Sequence, residues 1–332
     1  MSSSFQSFGI IGAGAWGTAL AVALHRAGRN VTLAARDPQF AAALAKTREN
    51  EPYLPGIKLD PAIDAVSDMA GLAFCDAVIM ATPAQTLRAT CKALAPTLKA
   101  RQPIIIASKG VELGTHRLMS EVVAEEMADH PVFILSGPSF AGEVAQNLPA
   151  ALTLAGEARG DALALAMTSP AFRLYTTDDI IGTQVGGALK NVLAIACGIV
   201  AGRNLGENAR AALITRGLAE IVRLGTALGG RAETLMGLSG LGDVALTCSS
   251  QKSRNMSLGI ALGHNENIAH ILTTRAGVTE GVATATAALG LAYRHGIDMP
   301  VTSAVDRILR EKADIDDMIA ELLARPLRTE AA

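Results

Sequence analysis

The feature that most constrains the fold lies near the start of the chain, where a short apolar run leads directly into three closely spaced glycines. Residues 8–11 (FGII) predict a β-strand, residues 12–17 have the sequence GAGAWG, and residues 18–26 predict a helix. In such a unit the first glycine allows a tight turn, the second lets the backbone approach a pyrophosphate, and the third packs the helix closely on the sheet. The pattern therefore predicts a nucleotide-binding α/β domain.

The surroundings of this glycine loop support the same prediction. Gly28 is placed to close the helix at its C-terminus, and residues 30–35 supply the next strand. Because the loop lies between a strand and a helix and a second strand follows, we interpret Gly12, Gly14 and Gly17 as a dinucleotide-binding fingerprint. The alternative is a glycine-rich turn that packs a helix on a strand and binds nothing.

Strand-like and helical segments alternate through the first half of the chain, which is the order of a doubly wound, mostly parallel sheet. Strands are predicted at 76–81, 104–107 and 132–135, and two more at 150–154 and 173–176 extend the sheet. Ligands of open α/β sheets bind outside the carboxyl ends of the strands. We therefore expect one crevice to be faced by the residues that follow these strands, namely Pro83, Lys109, Gly137 and Ser139.

Beyond residue 182 the strand pattern ends and helical periodicity replaces it. Helices are predicted at 183–201, 208–228, 253–262, 280–294, 302–311 and 315–324. The sequence thus predicts a Rossmann domain with a doubly wound sheet over residues 1–181, followed by an all-helical domain over residues 182–332. We expect the functional site to lie between the two domains, where ligand pockets are common.

Lys190 is the most unusual residue of the helical half, because it follows two glycines and opens an apolar run that extends to Ile199. Lysines are rarely buried without a partner, and burial lowers the pKa of an ammonium group toward the range in which it exchanges protons. We interpret Lys190 as an acid/base residue. The alternative is a lysine whose aliphatic chain lies along the helix while its ammonium group reaches water.

Charge and composition argue against a nucleic-acid partner. The 332 residues carry a net charge of −2, and only 3% are aromatic, which leaves neither a basic excess for phosphates nor rings for base stacking. The four cysteines stand far apart without CxxC or Cys/His spacing, at positions 75, 91, 197 and 248. They indicate buried free thiols in a reducing compartment, and we expect neither disulfides nor a metal site.

The uncharged, apolar segment 8–24 raises the question of a signal peptide or membrane anchor. No basic segment precedes it, its glycines are dense, and no stretch of the chain reaches the roughly 18 to 20 apolar residues that span a bilayer. The sequence therefore predicts a cytoplasmic protein without a membrane span.

Three further positions carry charged side chains where a ligand is expected. Arg36 follows the second strand, where a Rossmann domain contacts the adenosine ribose, and an arginine there favours the 2′-phosphate of NADP; the alternative is a surface arginine. Asp37 is explained locally as the N-cap of a helix with Pro38 at its first position. Lys109 could steady a cofactor, a substrate phosphate or an oxyanion, or be a solvated loop lysine.

Residues 253–255 (SRN) precede a predicted helix, and their donors suit an oxyanion at its N-terminus. Arginine can bind a phosphate through two parallel hydrogen bonds. The alternative is simple helix capping by Ser253.

In their order and spacing these segments resemble the NAD-dependent glycerol-3-phosphate dehydrogenase family, in particular its bacterial NAD(P)-dependent members, over nearly the whole chain. The resemblance rests on segments 12–17, Asn50 with 53–56, 108–110, 136–141 with Glu143, 186–191, 208–210 with 213–217, 240–243, 246–248, 253–255, and Val278 with 280–281.

The resemblance implies a fold like that of 6-phosphogluconate dehydrogenase and a homodimer. It also implies reversible hydride transfer between NADPH or NADH and C2 of dihydroxyacetone phosphate, giving sn-glycerol 3-phosphate for phospholipid synthesis, with Lys190 as proton donor and acceptor. The implied substrate contacts are Lys109, Gly137, Ser139, Lys190, Asp243, Ser253, Arg254 and Asn255. The implied cofactor contacts are Gly12, Gly14, Ala15, Trp16, Gly17, Arg36, Lys109, Ala141, Arg254, Val278 and Glu280.

Two positions depart from the family pattern or vary within it. Ala15 stands where many relatives carry a hydroxyl residue, so it can offer only its backbone N–H, and position 36 varies. Three alternatives remain open: a related reductase of another small oxo acid, a non-catalytic NADPH-sensing protein, and a purely structural helical scaffold. A phosphate site at residues 253–255 would argue against the first, and the retained lysines and Asp243 argue against the second.

Overall fold

The computed structural model describes residues 5–157, 160–274 and 279–326. Its strands are β1 Ser7–Ile11, β2 Asn30–Ala34, β3 Glu49–Asn50, β4 Leu54–Lys58, β5 Ile63–Val66, β6 Ala77–Met80, β7 Ile104–Ile106, β8 Val132–Ser136, β9 Ala150–Ala155 and β10 Phe172–Thr177. Three short 3-10 helices are Ala70–Phe74, Ala84–Thr86 and Ala95–Thr97. These elements form the first domain together with six of the helices.

The helices of the first domain are α1 Ala15–Arg26, α2 Pro38–Thr47, α3 Leu87–Leu94, α4 Met119–Glu126, α5 Ala141–Ala145 and α6 Gly160–Met167. Those that follow are α7 Ile180–Gly202, α8 Glu207–Ala227, α9 Ala232–Leu235, α10 Asp243–Cys248, α11 Arg254–Gly263, α12 Ile268–Thr274, α13 Glu280–Arg294, α14 Pro300–Asp306 and α15 Ile315–Leu323. Two π-helical turns, Leu238–Gly242 and Arg307–Glu311, precede α10 and follow α14.

The main sheet has eight strands in the order β10-β9-β8-β7-β6-β1-β2-β5, and its pairs are parallel except for the antiparallel pair β8–β9. The prediction of a doubly wound, mostly parallel sheet is confirmed, and so is each predicted strand. Two features were not predicted: strand β5, whose four residues form no apolar run, and the separate hairpin β3–β4. The hairpin was missed because its apolar residues are interrupted by Pro55 and Gly56.

Helices cover both faces of this sheet, which explains the continuous apolar character of its central strands. All residues of β6 and β7 are buried. Successive side chains alternate between two cores, since Ile10 packs with Leu20 and Leu24 on one face while Ile11 packs with Leu87 on the other. Burial of apolar side chains in these two cores stabilises the sheet between its helices.

Helix α7 runs through the centre of the second domain and packs against α8, α10, α11 and α13. Glycines let α7 and α11 touch backbone to backbone. A Cβ on Gly198 would lie 2.1 Å from the Met256 carbonyl oxygen, and one on Gly259 would lie 2.0 Å from the Ile195 carbonyl oxygen. Gly202 and Gly263 meet in the same way one turn later. We call these four glycines the glycine seam.

Among the described residues, one helix, α7, is both long enough and apolar enough to cross a membrane. Its most apolar window has a mean hydropathy of 1.7. The expectation that no stretch reaches that length was therefore wrong. Of that window, 94% is buried inside the protein. The helix is apolar on all sides because other helices surround it, as is usual for a central core helix.

The change from sheet to helices falls between Thr177, where β10 ends, and Ile180, where α7 begins. From that point the described residues form helices and turns only. The predicted division of the domains at residues 181 and 182 stays a prediction. Helices α9, α10 and α12 were not predicted, because four to seven residues are too few to show an amphipathic period.

Candidate active site

The glycine loop joins β1 to α1 at the carboxyl edge of the sheet, and each glycine meets a different steric demand. Gly12 has a φ of +106°, and a Cβ there would lie 2.7 Å from the Ala81 carbonyl oxygen. A Cβ on Gly17 would lie 2.0 Å from the Gly12 carbonyl oxygen. Gly14 instead borders open space, since no heavy atom lies within 4 Å of the position its Cβ would take.

The N-terminus of α1 fits an anionic ligand. Its N-cap, Gly14, has no side chain that could accept hydrogen bonds from the first turn, so those N–H groups can donate to a phosphate. Ala15, the first helical residue, supplies one such N–H. The buried indole Nε1 of Trp16 has no hydrogen-bond partner among the described residues. This donor set fits the pyrophosphate part of a dinucleotide.

Arg36 lies just beyond the carboxyl end of β2 and is exposed. Its neighbour Asp37 accepts a hydrogen bond from the Gln39 backbone N–H at 2.9 Å, with Pro38 as the first residue of α2, which confirms the predicted helix cap. Asp37 is thus engaged at the N-terminus of α2, whereas Arg36 is exposed beyond the end of β2.

The hairpin β3–β4 is tied to the glycine loop by Asn50, a contact the sequence did not reveal. The fully buried Asn50 side chain donates from Nδ2 to the Ala13 carbonyl oxygen at 2.9 Å and to Thr18 Oγ1 at 2.6 Å. Asn50 was noticed only as part of the family resemblance. An asparagine just before a Tyr-Leu-Pro-Gly turn was the available signal.

Two lysines converge on one carboxylate at the junction of the two domains. Lys190 Nζ lies 2.6 Å from Asp243 Oδ1 and donates to Thr247 Oγ1 at 2.9 Å. Lys109 Nζ lies 2.6 Å from Asp243 Oδ2 and donates to the Gly137 carbonyl oxygen at 3.2 Å. We call Lys109, Lys190, Asp243 and Thr247 the lysine cluster.

The lysine cluster is shielded from water, which governs its electrostatics. The Asp243 side chain is fully buried and that of Lys190 is 11% exposed. Burial lowers the pKa of the Lys109 ammonium to about 8, and the attraction of Asp243 offsets part of that effect while the positive charge of Lys190 adds to it. One carboxylate shared by two ammonium groups leaves a site suited to a developing negative charge.

Glycines at the start of α7 let this helix carry Lys190 close to its neighbours. A Cβ on Gly186 would lie 2.6 Å from the Ser239 carbonyl oxygen, and one on Gly187 would lie 2.4 Å from Ser136 Oγ. Because the Gly186 contact is with backbone, a larger residue at that position would push α7 away from the turn before Asp243.

The loop after β8 carries three of the predicted residues just beyond the carboxyl end of that strand. Gly137 has a φ of +142°, and a Cβ there would lie 2.9 Å from Leu152 Cα. Ser139 Oγ donates to the Gly137 carbonyl oxygen at 3.1 Å. Ala141 is the first residue of α5. Lys109 and Ser139 thus both contact Gly137, so the predicted convergence at the strand ends is confirmed for these three positions.

The segment 253–255 opens α11, and its three side chains are engaged differently. Ser253 Oγ accepts from the Met256 N–H at 3.2 Å, so the predicted capping of α11 by Ser253 is confirmed. Asn255 Nδ2 donates to Asn191 Oδ1 at 2.9 Å, and Asn255 Oδ1 accepts from the Gly281 N–H at 3.0 Å. Asn255 therefore ties α7, α11 and α13 together, whereas Arg254 is exposed.

Glu280 begins α13 and links the helical domain to the sheet. Its Oε1 accepts from the Ala84 N–H at 3.2 Å, and its Oε2 is buried without a hydrogen-bond partner among the described residues. Burial raises the pKa of the Glu280 carboxyl to about 7, against the lowering effects of the Ala84 hydrogen bond and the Arg254 charge. An orphaned oxygen of this kind fits a ligand hydroxyl. Val278 lies outside the described residues.

Thr247 belongs to the lysine cluster and Asn191 adjoins it, but the sequence included them only in segments 246–248 and 186–191 of the family resemblance and gave them no role. Thr247 lies one turn after Asp243 on α10, and Asn191 follows Lys190 on α7. The i, i+4 spacing of Asp243 and Thr247 was a usable signal, but α10 itself was not predicted. Among the described residues no group of three or more His, Cys, Asp or Glu side chains is placed to hold a metal ion.

Both halves of the chain match profiles of one protein family. The profile of the NAD-dependent glycerol-3-phosphate dehydrogenase N-terminus matches residues 7–162, and that of its C-terminus matches residues 179–320. A protein named glycerol-3-phosphate dehydrogenase [NAD(P)+] from Caulobacter vibrioides is 54% identical over 330 residues, covering 99% of this chain and 100% of that protein.

Solved structures give the same picture. The crystal structure of glycerol-3-phosphate dehydrogenase from Coxiella burnetii superimposes with a TM-score of 0.93 at 38% identity and covers 97% of this chain and 99% of that one. A ketopantoate reductase family protein from Ralstonia eutropha, with a TM-score of 0.62 at 18% identity, covers 95% of this chain and 100% of that one, and shares the fold alone.

A Rossmann sheet whose strand ends meet a set of helices across a buried lysine–aspartate pair, in a chain with these relatives, defines a class, the NAD(P)-dependent oxidoreductases that act on CH–OH groups. Both halves of the chain and nearly its full length match one member of that class. The chain belongs to the NAD-dependent glycerol-3-phosphate dehydrogenase family.

Proposed function

We propose that this enzyme reversibly reduces dihydroxyacetone phosphate to sn-glycerol 3-phosphate with NADPH or NADH, and so supplies phospholipid synthesis. The observation that carries the proposal is the lysine cluster, in which Asp243 holds the Lys190 ammonium at 2.6 Å in a buried position at the domain junction. The activity named for the relatives from Caulobacter vibrioides and Coxiella burnetii supports the choice of substrate.

Proton transfer is the step for which the chain supplies its own group. A reduced nicotinamide, when bound, would supply a hydride to the C2 carbonyl carbon, which leaves the carbonyl oxygen as an alkoxide. Lys190 Nζ gives a proton to that oxygen in reduction and takes one from the hydroxyl in oxidation. Asp243 and Thr247 fix the ammonium group through bonds of 2.6 and 2.9 Å. Lys109, on the other carboxylate oxygen, stabilises the negative charge as it develops.

The proposed substrate contacts would orient dihydroxyacetone phosphate for the reaction at C2. In this proposal the phosphate is held by Arg254 with Ser253 and Asn255, while Gly137, Ser139, Lys109 and Asp243 hold the three-carbon end. Arg254 is exposed at the N-terminus of α11, where helix dipole and guanidinium act on an anion in the same sense. Binding energy from the phosphate then positions C2 against the hydride donor.

The dinucleotide occupies the carboxyl edge of the sheet in this proposal. Its pyrophosphate lies at Gly14 and Ala15, and its adenosine phosphate, where present, at Arg36. The remaining proposed contacts are Gly12, Trp16, Gly17, Lys109, Ala141, Arg254, Val278 and Glu280.

We further propose a homodimer in the cytoplasm. The dimer follows the family resemblance. The four cysteines are all buried and free, which suits a reducing compartment. Light scattering on the eluate of a gel-filtration column would test the dimer, and a monomer mass would contradict it.

The decisive experiment measures the loss of reduced-nicotinamide absorbance when dihydroxyacetone phosphate is added to purified protein. It is run in parallel with NADPH and NADH, and with ketopantoate as an oxo-acid control. Turnover with dihydroxyacetone phosphate supports the proposal, and a higher kcat/KM with NADPH supports the role of Arg36. Turnover of the oxo acid alone, or cofactor binding without any turnover, would favour the reductase or sensor alternatives.

A further inference from the structure

Gln85, in the segment that follows β6, forms hydrogen bonds with the loop that carries Lys109. Gln85 Nε2 donates to the Val111 carbonyl oxygen at 2.8 Å, and Gln85 Oε1 accepts from the Leu113 N–H at 2.9 Å. The side-chain amide therefore satisfies one acceptor and one donor of the loop backbone, two residues apart, as a neighbouring strand would. A single half-buried side chain thus fixes the path of this loop.

Arg88, three residues after Gln85, binds the same loop through Glu112. Its Nε and Nη2 each donate at 2.8 Å to a different oxygen of Glu112, a paired geometry that fixes direction as well as distance. Glu112 is buried and also accepts from Thr115 Oγ1, and Arg88 binds Glu126 on α4 at 2.5 Å. The loop from Val111 to Thr115 is therefore tied to α3 and α4 through side chains.

The same segment touches the helical domain. A Cβ on Gly110 would lie 2.7 Å from the Ala84 Cβ, so the backbone next to Lys109 packs directly on Ala84. The Ala84 N–H in turn donates to Glu280 on α13. Because Asp243 belongs to the helical domain, the placement of Lys109 against Asp243 depends on where residues 84–88 hold its loop.

We propose that Gln85 is a positioning residue for Lys109. Its two backbone hydrogen bonds, supported by the Arg88–Glu112 pair, keep the Lys109 ammonium within hydrogen-bond distance of the Asp243 carboxylate across the domain junction. The inference rests on the proposed function, because it assumes that Lys109 acts on substrate there. Gln85 itself acts only through the loop. A displacement of the loop by about 1 Å is enough to cost a large part of the rate.

The test is the substitution Gln85→Met, which keeps the length of the side chain and removes both hydrogen bonds. We expect kcat for dihydroxyacetone phosphate reduction to fall roughly 10- to 100-fold, with the KM for NADPH changed by less than about threefold. Added to Lys109→Ala, the same substitution should lower kcat/KM by no more than about twofold further, because its effect passes through Lys109.

The matched control is Gln102→Met. Gln102 Nε2 also donates to two backbone carbonyls, those of Leu72 at 2.9 Å and Cys75 at 2.7 Å, but it lies just before β7, at the amino edge of the sheet. This variant should lose stability and keep its kcat. Equal losses of kcat from Gln85→Met with and without Lys109 would show a merely structural role and overturn the inference.

If Gln85→Met does not fold, Glu112→Gln tests the same loop from its other side. It weakens the pair with Arg88, and a loss of kcat that disappears in the Lys109→Ala background supports the inference. A wild-type kcat in that variant would overturn it. Wild-type protein without any turnover of dihydroxyacetone phosphate would overturn the proposed function first, and the inference with it.

Discussion

The glycine loop and the lysine cluster both lie at the carboxyl edge of the sheet but are built in opposite ways. The glycine loop is contiguous in sequence, and its ligand groups are backbone N–H donors exposed by the absence of side chains. The lysine cluster joins side chains from β7's loop, α7 and α10, separated by up to 138 positions between Lys109 and Thr247. A site made of backbone can be predicted from a short motif, whereas one made of side chains needs the fold.

The largest loss of turnover is expected from Lys190→Ala, because in the proposed mechanism proton transfer at the lysine cluster depends on this one ammonium group. We expect turnover to fall by roughly 10³-fold or more, since proton transfer and charge stabilisation are lost together. NADPH binding, measured by fluorescence titration, should be largely kept. The exposed Lys46→Ala on α2 is the control and should be fully active. Near-normal turnover of the Lys190 variant would remove it from the acid/base role.

Arg254→Ala tests whether side chains also dominate substrate binding. A guanidinium that binds phosphate through charge-assisted hydrogen bonds contributes enough that we expect the KM for dihydroxyacetone phosphate to rise about 100-fold. The kcat at saturation should fall less. Steady-state kinetics with the exposed Arg117→Ala as a control check this, and an unchanged KM would exclude Arg254 from the phosphate site.

Gly14→Ala and Gly17→Ala separate ligand binding from folding within the glycine loop. An added methyl on Gly14 enters open space, so the melting temperature should be unchanged while the KM for NADPH rises about tenfold, the cost of one impaired bond to a phosphate. On Gly17 the methyl would overlap the Gly12 carbonyl, and the melting temperature should fall. Equal NADPH affinity of wild type and Gly14→Ala would contradict the backbone-built site.

Glu280 joins α13 to the segment after β6 through the Ala84 N–H, and its pKa predicts a pH dependence of stability. The carboxyl has a pKa of about 7 when folded and 4.5 as its reference value, so between these values the folded state holds a proton that the unfolded state has lost. The free energy of unfolding should therefore fall as pH rises from 5 to 7, by about 2 kcal/mol in the ligand-free protein.

Urea unfolding of the wild type and of Glu280→Gln at both pH values isolates this contribution, because the other groups titrate alike in the two proteins. The difference between them should shrink or reverse toward pH 5. A difference that stays constant with pH would show that Glu280 is ionised throughout.

Most of the first domain could be predicted because buried parallel strands form apolar runs, and the crevice followed from where those runs end. Lys190 could be singled out because an ammonium in an apolar helix needs a partner. Its bonds to Asp243 and Thr247 could not be predicted, since they depend on how α7 and α10 cross. Asn255 shows the same limit, because its carboxamide joins three helices that the sequence places far apart.

The glycine seam between α7 and α11 has a consequence for motion at the lysine cluster. Where two helices touch backbone to backbone, there are no side chains between them to change rotamer, so the contact has almost no internal freedom. Thermal displacement of α7 must then carry α11 with it. We therefore expect the backbones of Lys190 and Arg254, one on each helix, to move as parts of a single rigid body, which keeps the spacing between these two positions constant.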